Sequence, residues 1–170
     1  EATIYGGELE IMARPLPALT IGTSIGYTHG EFDDLIGADP FKVPTDFSGN
    51  TTAYTPEWTF NCFLSYSIPV KNYGFVTLYA DYDWKDEVYV DPANSDDYHF
   101  VPDYGLFNAQ VSFETHDGKW HVDFYGKNLD DERYLTNSQT AVGIAYITND
   151  IIGIYSMDAR RFGIRVGYRF

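Results

Sequence analysis

Apolar and polar residues alternate with a period of two along most of this chain, which is typical of β-strands with one apolar face. The pattern is clearest at the C terminus, where every second residue from Phe162 to Phe170 is apolar and arginine or glycine lies between. No segment shows a convincing helical period. The alternation predicts strands at Ala2–Arg14, Leu19–Phe32, Thr59–Ile68, Gly74–Lys85, Tyr104–Thr115, Trp120–Leu129 and Asp158–Phe170.

The connections between these seven predicted strands alternate between short turns and long loops. The turns, at 14–18, 69–73 and 116–119, are rich in Pro, Gly, Asn and Asp, as tight turns require. The loops cover about 33–57, 86–103 and 130–158, and structureless loops of this length count against a compact soluble domain. Short periplasmic turns and long extracellular loops are the layout of an outer-membrane β-barrel.

Large aromatic residues near the strand ends agree with this layout, because barrels carry aromatic girdles at both membrane interfaces. No apolar run approaches the ~18 residues of a membrane-spanning helix, but alternation halves the apolar signal along a strand. We therefore predict an all-β fold, an antiparallel transmembrane β-barrel segment of about seven strands. The girdle candidates are Tyr27, Tyr66, Trp84, Trp120, Tyr168 and Phe170.

Composition excludes several other classes of protein. Aromatic residues at 18% and hydrophobic residues at 44% exclude a disordered acidic tail. A net charge of −14 argues against a nucleic-acid partner, which needs a basic surface. The single cysteine excludes an internal disulfide framework and the usual multi-cysteine zinc sites.

Acidic residues concentrate in the three long loops, where only Lys42 and Arg133 are basic, so the loops carry the whole net charge of −14. Carboxylates bind Ca²⁺, but these lack the ordered spacing of an EF-hand loop. We interpret them as a solvated outer surface. The loop acids are Asp33, Asp34, Asp39, Asp46, Glu57, Asp86, Glu87, Asp91, Asp96, Asp97, Asp103, Asp130, Asp131, Glu132, Asp150 and Asp158.

Motifs for catalysis, cofactor binding or metal binding are not predicted. The sequence has no nucleophile elbow, phosphate-binding loop or dinucleotide fingerprint. Asp81 and Asp83 share a face, where pairing with Lys85 and Lys127 is the simpler interpretation. No two of the four histidines, His29, His99, His116 and His121, share a metal-ligand spacing on one strand.

Several segments resemble, in order, motifs of TonB-dependent outer-membrane receptors. Residues 125–134, YGKNLDDERY, resemble the family's NLxDxxY segment, and residues 7–10, GELE, resemble its GxELE strand opening. Residues 37–40, 46–50 and 56–61 are similar to the loop and strand entry that follow it. The terminal GIRVGYRF at 163–170 resembles the family's assembly signal.

The resemblance implies a barrel of ~22 strands with a plugged lumen, of which residues 1–170 are the C-terminal segment. The plug domain and the TonB-contacting motif are not in this chain. The chain opens inside a predicted strand without a signal-peptide pattern. An open seven-stranded sheet would leave unpaired edges in lipid, at several kcal/mol per unsatisfied backbone group. We therefore expect a piece of a larger protein.

The resemblance also implies roles for individual residues. The terminal strand would present Phe162, Ile164, Val166, Tyr168 and Phe170 to the barrel-assembly machinery. The NLxDxxY-like motif consists of Asn128, Leu129, Asp131 and Tyr134, and we expect a structural role at the strand-to-loop transition for Asn128 and Tyr134. The expected lumen-facing aromatics and amides, a water-facing wall or a surface against the plug, are Phe63, Tyr79, Asn108, Gln110 and Tyr125.

An intact receptor of this kind would lie in the outer membrane of a Gram-negative bacterium, in contact with the lipid bilayer and lipopolysaccharide. It would bind a small-molecule nutrient such as a ferric siderophore and import it with energy delivered by the TonB complex. One alternative is a small self-standing outer-membrane barrel or adhesin-like surface protein, with an eighth strand from Ala141–Tyr155. Another is a soluble carbohydrate-binding β-sandwich.

Overall fold

The computed structural model describes residues 1–38, 44–94, 100–135 and 158–170. Within these ranges the regular structure consists of strands. Among the described residues, no helix is long and apolar enough to cross a bilayer. The strands are β1 (Ala2–Leu16), β2 (Leu19–Phe32), β3 (Ile36–Ala38), β4 (Pro44–Asp46), β5 (Trp58–Val70), β6 (Gly74–Lys85), β7 (Val88–Tyr89), β8 (Phe100–Val101), β9 (Tyr104–Thr115), β10 (Trp120–Lys127) and β11 (Arg161–Tyr168).

The seven long strands form one antiparallel sheet in the order β1-β2-β5-β6-β9-β10-β11. Each long strand therefore pairs with the next long strand along the chain, as short turns and long loops in alternation require. This confirms the seven predicted strands and the all-β fold. It does not support the β-sandwich alternative, since the seven long strands lie in one sheet.

The first strand is longer than predicted. It continues past Arg14 to Leu16, and the register shifts between Ala13 and Leu16. Pro15 cannot donate to a ladder, but β1 is an edge strand of the sheet, where proline is tolerated. The irregular pairing around Pro15 is typical of a β-bulge, which the alternation of this segment did not indicate.

The tight turn before β6 depends on the glycine that follows it. Gly74 has a φ of +150°, and a Cβ there would collide with the carbonyl oxygen of Glu114 on β9. Only glycine allows the two backbones to approach this closely. The turn 69–73 is thereby joined directly to the start of the β6–β9 pairing, in which Gly74 lies opposite Thr115.

The distribution of exposed and buried side chains on this sheet is the reverse of that in a soluble domain, and we call it an inverted sheet. On one face, large apolar side chains are exposed, such as Phe124 at 53% and Val111 at 46%. On the other, Asp123 is only 1% exposed. Soluble proteins rarely leave a contiguous apolar face of this kind open to water. An outer face turned to lipid and an inner face that is polar are what a membrane barrel requires.

Aromatic pairs lie at both ends of the apolar face. Tyr27 contacts Trp58 at one end, with ring centroids 4.7 Å apart, and Trp120 contacts Tyr168 at the other, with centroids 4.8 Å apart. Five of the seven sheet strands are 12 to 15 residues long. About 9–11 residues suffice to cross a bilayer, so these strands reach beyond it at one or both ends.

The first two long loops are more ordered than predicted. The expectation of structureless loops is wrong for them, because β3 pairs with β4 in the first and β7 pairs with β8 in the second. Among the described residues, the buried apolar side chains are those of Phe47, Val88 and Val101, all in these loops. Most of the third loop, including the eighth-strand candidate Ala141–Tyr155, lies outside the described residues.

The sheet is open in the part of the chain that the structure describes. There, β1 pairs with β2 and β11 pairs with β10, so the two edge strands do not meet. An open edge in hydrocarbon is unfavourable, because backbone N–H and C=O groups would lack partners. The open sheet agrees with the expected segment of a larger barrel.

Candidate functional site

The polar face of the sheet assembles side chains from strands that are distant in sequence. In the register, Tyr79 lies opposite Gln110, which lies opposite Tyr125. Asp81 lies between Phe63 and Asn108 in the same way. Directly opposed residues point to the same face. All five residues predicted to face the lumen therefore share one face, and the rings of Phe63 and Tyr79 stack with centroids 6.1 Å apart.

A recess of 460 Å³ lies on this face between β6, β9, β10 and β11. Its wall combines two tyrosine rings with two amides, one carboxylate and three cationic groups. Such a lining offers hydrogen bonds and charges of both signs to whatever fills the interior. The residues that line it are Tyr79, Asp81, Asn108, Ala109, Gln110, Tyr125, Gly126, Lys127, Arg161 and Arg165.

The two acids of β6 bind amides rather than lysines. Asn108 donates from Nδ2 to Asp81 Oδ2 at 2.7 Å, and Asn61 donates from Nδ2 to Asp83 Oδ1 at 2.5 Å. The expected ion pairs with Lys85 and Lys127 are not formed within 4.0 Å among these described residues. The register explains the difference, since Asn61 lies directly opposite Asp83 and Asn108 directly opposite Asp81.

Asp123 is the centre of a polar cluster that the sequence did not indicate. Its Oδ1 lies 2.6 Å from His121 Nε2 and accepts a hydrogen bond from Gln110 Nε2 at 3.2 Å. Its Oδ2 lies 3.6 Å from Arg165 Nη1. Glu114 lies 3.8 Å from the other ring nitrogen of His121. Only the strand register reveals this cluster, because Arg165 lies directly opposite Asp123 but is far from it in the sequence.

The apolar residues of the terminal strand lie on one exposed face. Phe162, Ile164 and Val166 are 61 to 69% exposed, on the face opposite to Arg161 and Arg165. Phe162 lies near Phe124 with ring centroids 6.4 Å apart. Tyr168, the last residue of β11, meets Phe170 edge to face at 5.2 Å. The five residues therefore form an apolar stripe that runs along β11 and ends at Phe170, just beyond the strand.

Asn128 lies at the base of the last loop and is 2% exposed. Its carboxamide pairs with both backbone groups of Glu132: Oδ1 accepts from the N–H at 2.8 Å and Nδ2 donates to the carbonyl at 3.0 Å. Nδ2 also donates to the carbonyl of Asp158 at 2.8 Å. The Asn128 N–H donates to Asn108 Oδ1 at 3.0 Å. One side chain thus holds both described ends of the loop.

The other residues of the NLxDxxY-like segment surround Asn128. The Leu129 N–H donates to the carbonyl of Phe107 at 2.8 Å. The carboxylate of Asp131 lies 3.6 Å from Arg160. The ring of Tyr134 stacks on Tyr104 with centroids 4.4 Å apart, and its hydroxyl accepts from the Asp158 N–H at 3.3 Å. The structure brings all four motif residues together at this base.

The remaining candidates do not assemble into a metal centre in the described ranges. No group of three or more His, Cys, Asp or Glu side chains suited to a metal ion occurs there. His29 lies 3.5 Å from Glu31, and His116 stacks on Phe75 with centroids 5.7 Å apart. His99 lies outside the described residues.

In the first loop, the hydroxyl and N–H of Ser48 hydrogen-bond to Asp46 and lower the pKa of that carboxyl.

Comparison with solved structures agrees with this geometry. The fold is similar to the ferric yersiniabactin uptake receptor FyuA from Yersinia pestis, with a TM-score of 0.65 and 16% identity over 96% of this chain and 22% of that one. It is also similar to the siderophore receptor PiuA from Acinetobacter baumannii, with a TM-score of 0.64 and 22% identity over 81% of this chain and 19% of that one.

A third similar structure is that of the FpvAI–pyocin S2 complex, with a TM-score of 0.65 and 16% identity over 98% of this chain and 19% of that one. The chain therefore spans about a fifth of the length of these proteins. At such identities, the likeness shows a shared fold.

Sequence comparison identifies the family itself. The family model described as "TonB dependent receptor-like, beta-barrel" matches residues 1–129. The match covers the strands from β1 to β10, which form most of the sheet. It confirms the resemblance that the ordered motifs indicated. This chain belongs to the TonB-dependent receptor-like β-barrel family.

Proposed function

We propose that this chain is the C-terminal barrel segment of an outer-membrane receptor that takes up a ferric siderophore by TonB-dependent transport. The observation that carries the proposal is the inverted sheet, in which exposed Phe124 and Val111 face one way and buried Asp123 faces the other. A sheet of this kind forms part of a wall between lipid and a polar interior. Two of the similar structures are named as a siderophore receptor and a ferric yersiniabactin uptake receptor.

The partners follow from the two faces of this wall. The apolar face meets the bilayer and lipopolysaccharide of a Gram-negative outer membrane. The polar face, with its 460 Å³ recess, meets the plug domain or a small-molecule nutrient in the interior. The remaining barrel strands pair with the open edges β1 and β11. The TonB complex acts through parts of the receptor outside this chain. The role is transport, and no catalytic step is assigned to these residues.

Two sets of residues receive roles within this proposal. The apolar stripe of the last strand is the signal recognised by the barrel-assembly machinery. The stripe consists of Phe162, Ile164, Val166, Tyr168 and Phe170. The NLxDxxY-like residues are structural, and the contacts of Asn128 with Glu132 and Asp158 support that role.

The transport proposal is tested by deleting the full-length gene in its native host. Cells are starved of iron and supplied with a panel of ferric siderophores loaded with radioactive iron. We expect the deletion to abolish uptake of at least one siderophore and the intact gene to restore it. A proton uncoupler should abolish the restored uptake. Wild-type uptake of every siderophore that the host uses would contradict the proposal.

A further inference from the structure

The first two long loops form a folded layer above the sheet. We call their described parts, 33–38, 44–57, 86–94 and 100–103, the outer cap. The outer cap contains Phe47, Val88 and Val101, which are 2 to 8% exposed, whereas the apolar residues of the sheet face outward. Burial of apolar side chains stabilises a folded unit in water. Each of the two loops therefore buries apolar side chains of its own, Phe47 in the first and Val88 and Val101 in the second.

Hydrogen bonds join the two loops of the outer cap across more than thirty residues of sequence. Asn50 donates from Nδ2 to the carbonyl of Pro92 at 2.7 Å. The Tyr54 N–H donates to the carbonyl of Tyr89 at 2.8 Å. These bonds link the end of the first loop to the middle of the second. Neither loop holds this conformation through contacts within itself alone.

Asn94 makes the central connection between the loops. Its Oδ1 accepts from the Thr51 N–H at 2.6 Å, and its Nδ2 donates to the Thr51 carbonyl at 3.0 Å. The carboxamide thus pairs with both backbone groups of one residue, as a neighbouring strand would. Nδ2 also donates to the carbonyl of Asp91 at 3.2 Å within its own turn.

The outer cap is anchored to the barrel wall at the same residue. Thr51 forms an isolated β-bridge with Glu31 of β2. On either side, the Phe32 N–H donates to the Asn50 carbonyl and the Thr52 N–H donates to the Gly30 carbonyl, each at 2.9 Å. Thr51 therefore lies between β2 and Asn94. Displacement of Asn94 would disturb both loops at their attachment to the sheet.

Asn94 and Asn128 make the same kind of side-chain-to-backbone contact at different places. Both have a φ of +50°, and the carboxamide of each pairs with the N–H and C=O of one backbone residue. Asparagine tolerates this left-handed conformation better than most residues. Asn94 joins the second loop to the first, whereas Asn128 joins Glu132 to Asp158 within the last loop.

We propose that the described parts of the first two loops are one conformational unit locked by Asn94, and that Asn128 separately fixes the described base of the last loop. Loss of Asn94 then loosens both loops of the outer cap together and leaves the described base of the last loop in place. This inference rests on the loop contacts and does not require the transport proposal.

The test compares variants of the full-length receptor in detergent by hydrogen–deuterium exchange. Asn94→Asp is nearly isosteric, but it places a carboxylate oxygen against the carbonyls of Thr51 and Asp91. We expect exchange to rise about tenfold at 50–54 and at 88–94 together, since the carbonyls of Thr51 and Asp91 lose the amide donor that joins the two loops. Exchange at 128–134 should stay unchanged. Asn128→Asp should raise exchange at 128–134 and leave exchange at 50–54 and 88–94 unchanged.

Two further variants make the result interpretable. Asn94→Gly removes the carboxamide but keeps the left-handed backbone, so it should also raise exchange in both loops. Asn72→Asp adds the same charge in the tight turn at the opposite end and should change neither loop. Heat-modifiable gel mobility shows that each variant is folded. Faster exchange in the second loop alone after Asn94→Asp, or an equal rise in the last loop, would overturn the proposal.

Discussion

At the scale of single residues, the buried polar groups are informative because the sheet turns its apolar groups outward. Asn128 and Asp123 are 2% and 1% exposed, and each joins segments that are distant in sequence. Asn128 belongs to a motif that the sequence predicted to be structural, and its contacts agree with that. The sequence did not indicate a role for Asp123, because its partner Arg165 is identified only by strand pairing.

Asn128→Ala should destabilise the intact barrel more than Asn128→Gly. Both changes remove the carboxamide, but only alanine also strains the backbone at a φ of +50°. The left-handed conformation costs a non-glycine residue about 1–2 kcal/mol, so the two free energies of unfolding should differ by about that amount. Urea unfolding of the refolded full-length protein measures the difference. Equal stability of the two variants would show that the backbone conformation is not strained.

Asp123→Ala should destabilise the protein because it leaves several donors without their acceptor. Gln110 and His121 both direct a nitrogen at the Asp123 carboxylate. Hydrogen bonds to a charged group such as the buried Asp123 carboxylate contribute about 1.5–3 kcal/mol each. The exposed Asp130→Ala in the last loop serves as control and should change the unfolding free energy little. A loss no greater than that of the control would contradict a structural role for the cluster.

At the scale of elements, the informative hydrogen bonds and ionisable groups lie in the turns and at the strand ends. In the turn between β9 and β10, Asp117 Oδ1 accepts from Thr115 Oγ1 at 2.7 Å and from the Lys119 N–H at 3.1 Å. The Thr115 hydroxyl and the Lys119 N–H lower the pKa of Asp117. Both bonds favour the ionised form of the carboxyl.

This lowered pKa predicts the pH dependence of the turn. Because the pKa is lower in the folded state, the stabilisation is fully present above the unfolded value, near 3.8, and is lost as pH falls through the folded value. We expect amide exchange at Lys119, corrected for the intrinsic pH dependence, to accelerate in that acidic range. Asp117→Asn should remove this step. A pH-independent exchange rate in the wild-type protein would contradict the assignment.

The last strand carries a prediction about assembly. Deleting Phe170 from the full-length protein should lower its level in the outer membrane, because the terminal aromatic completes the apolar stripe of β11. Phe170→Tyr keeps an aromatic ring at this position and should assemble nearly normally. Immunoblots of outer-membrane fractions measure both variants. An unchanged level after the deletion would remove the assembly role from this residue.

At the scale of the whole molecule, the two faces of the sheet determine which substitutions are tolerated. Val111 is 46% exposed on the apolar face and lies opposite Leu78 and Phe124. Gln110, the preceding residue, faces the polar recess. In a soluble protein, an exposed position would accept arginine readily. In a membrane barrel, the exposed position contacts lipid instead.

Val111→Arg should therefore destabilise the intact barrel by about 2–4 kcal/mol, the cost of arginine near the middle of the bilayer. Gln110→Arg is the matched control, since it adds the same charge on the polar face near Asp123. Folding into lipid vesicles, followed by urea titration, measures both. If Val111→Arg were as stable as Gln110→Arg, the apolar face would not be in contact with lipid.

The sequence alone determined the seven strands, their faces and the family, because alternation, turn residues and ordered motifs are local properties. It also located the apolar stripe of the last strand and the motif around Asn128. Only the tertiary structure showed the Asp123 cluster, the amide partners of Asp81 and Asp83, and the link between the first two loops through Asn94. These contacts depend on strand register and on the path of the loops. Both are set by pairing between residues far apart in the chain, which no local pattern encodes.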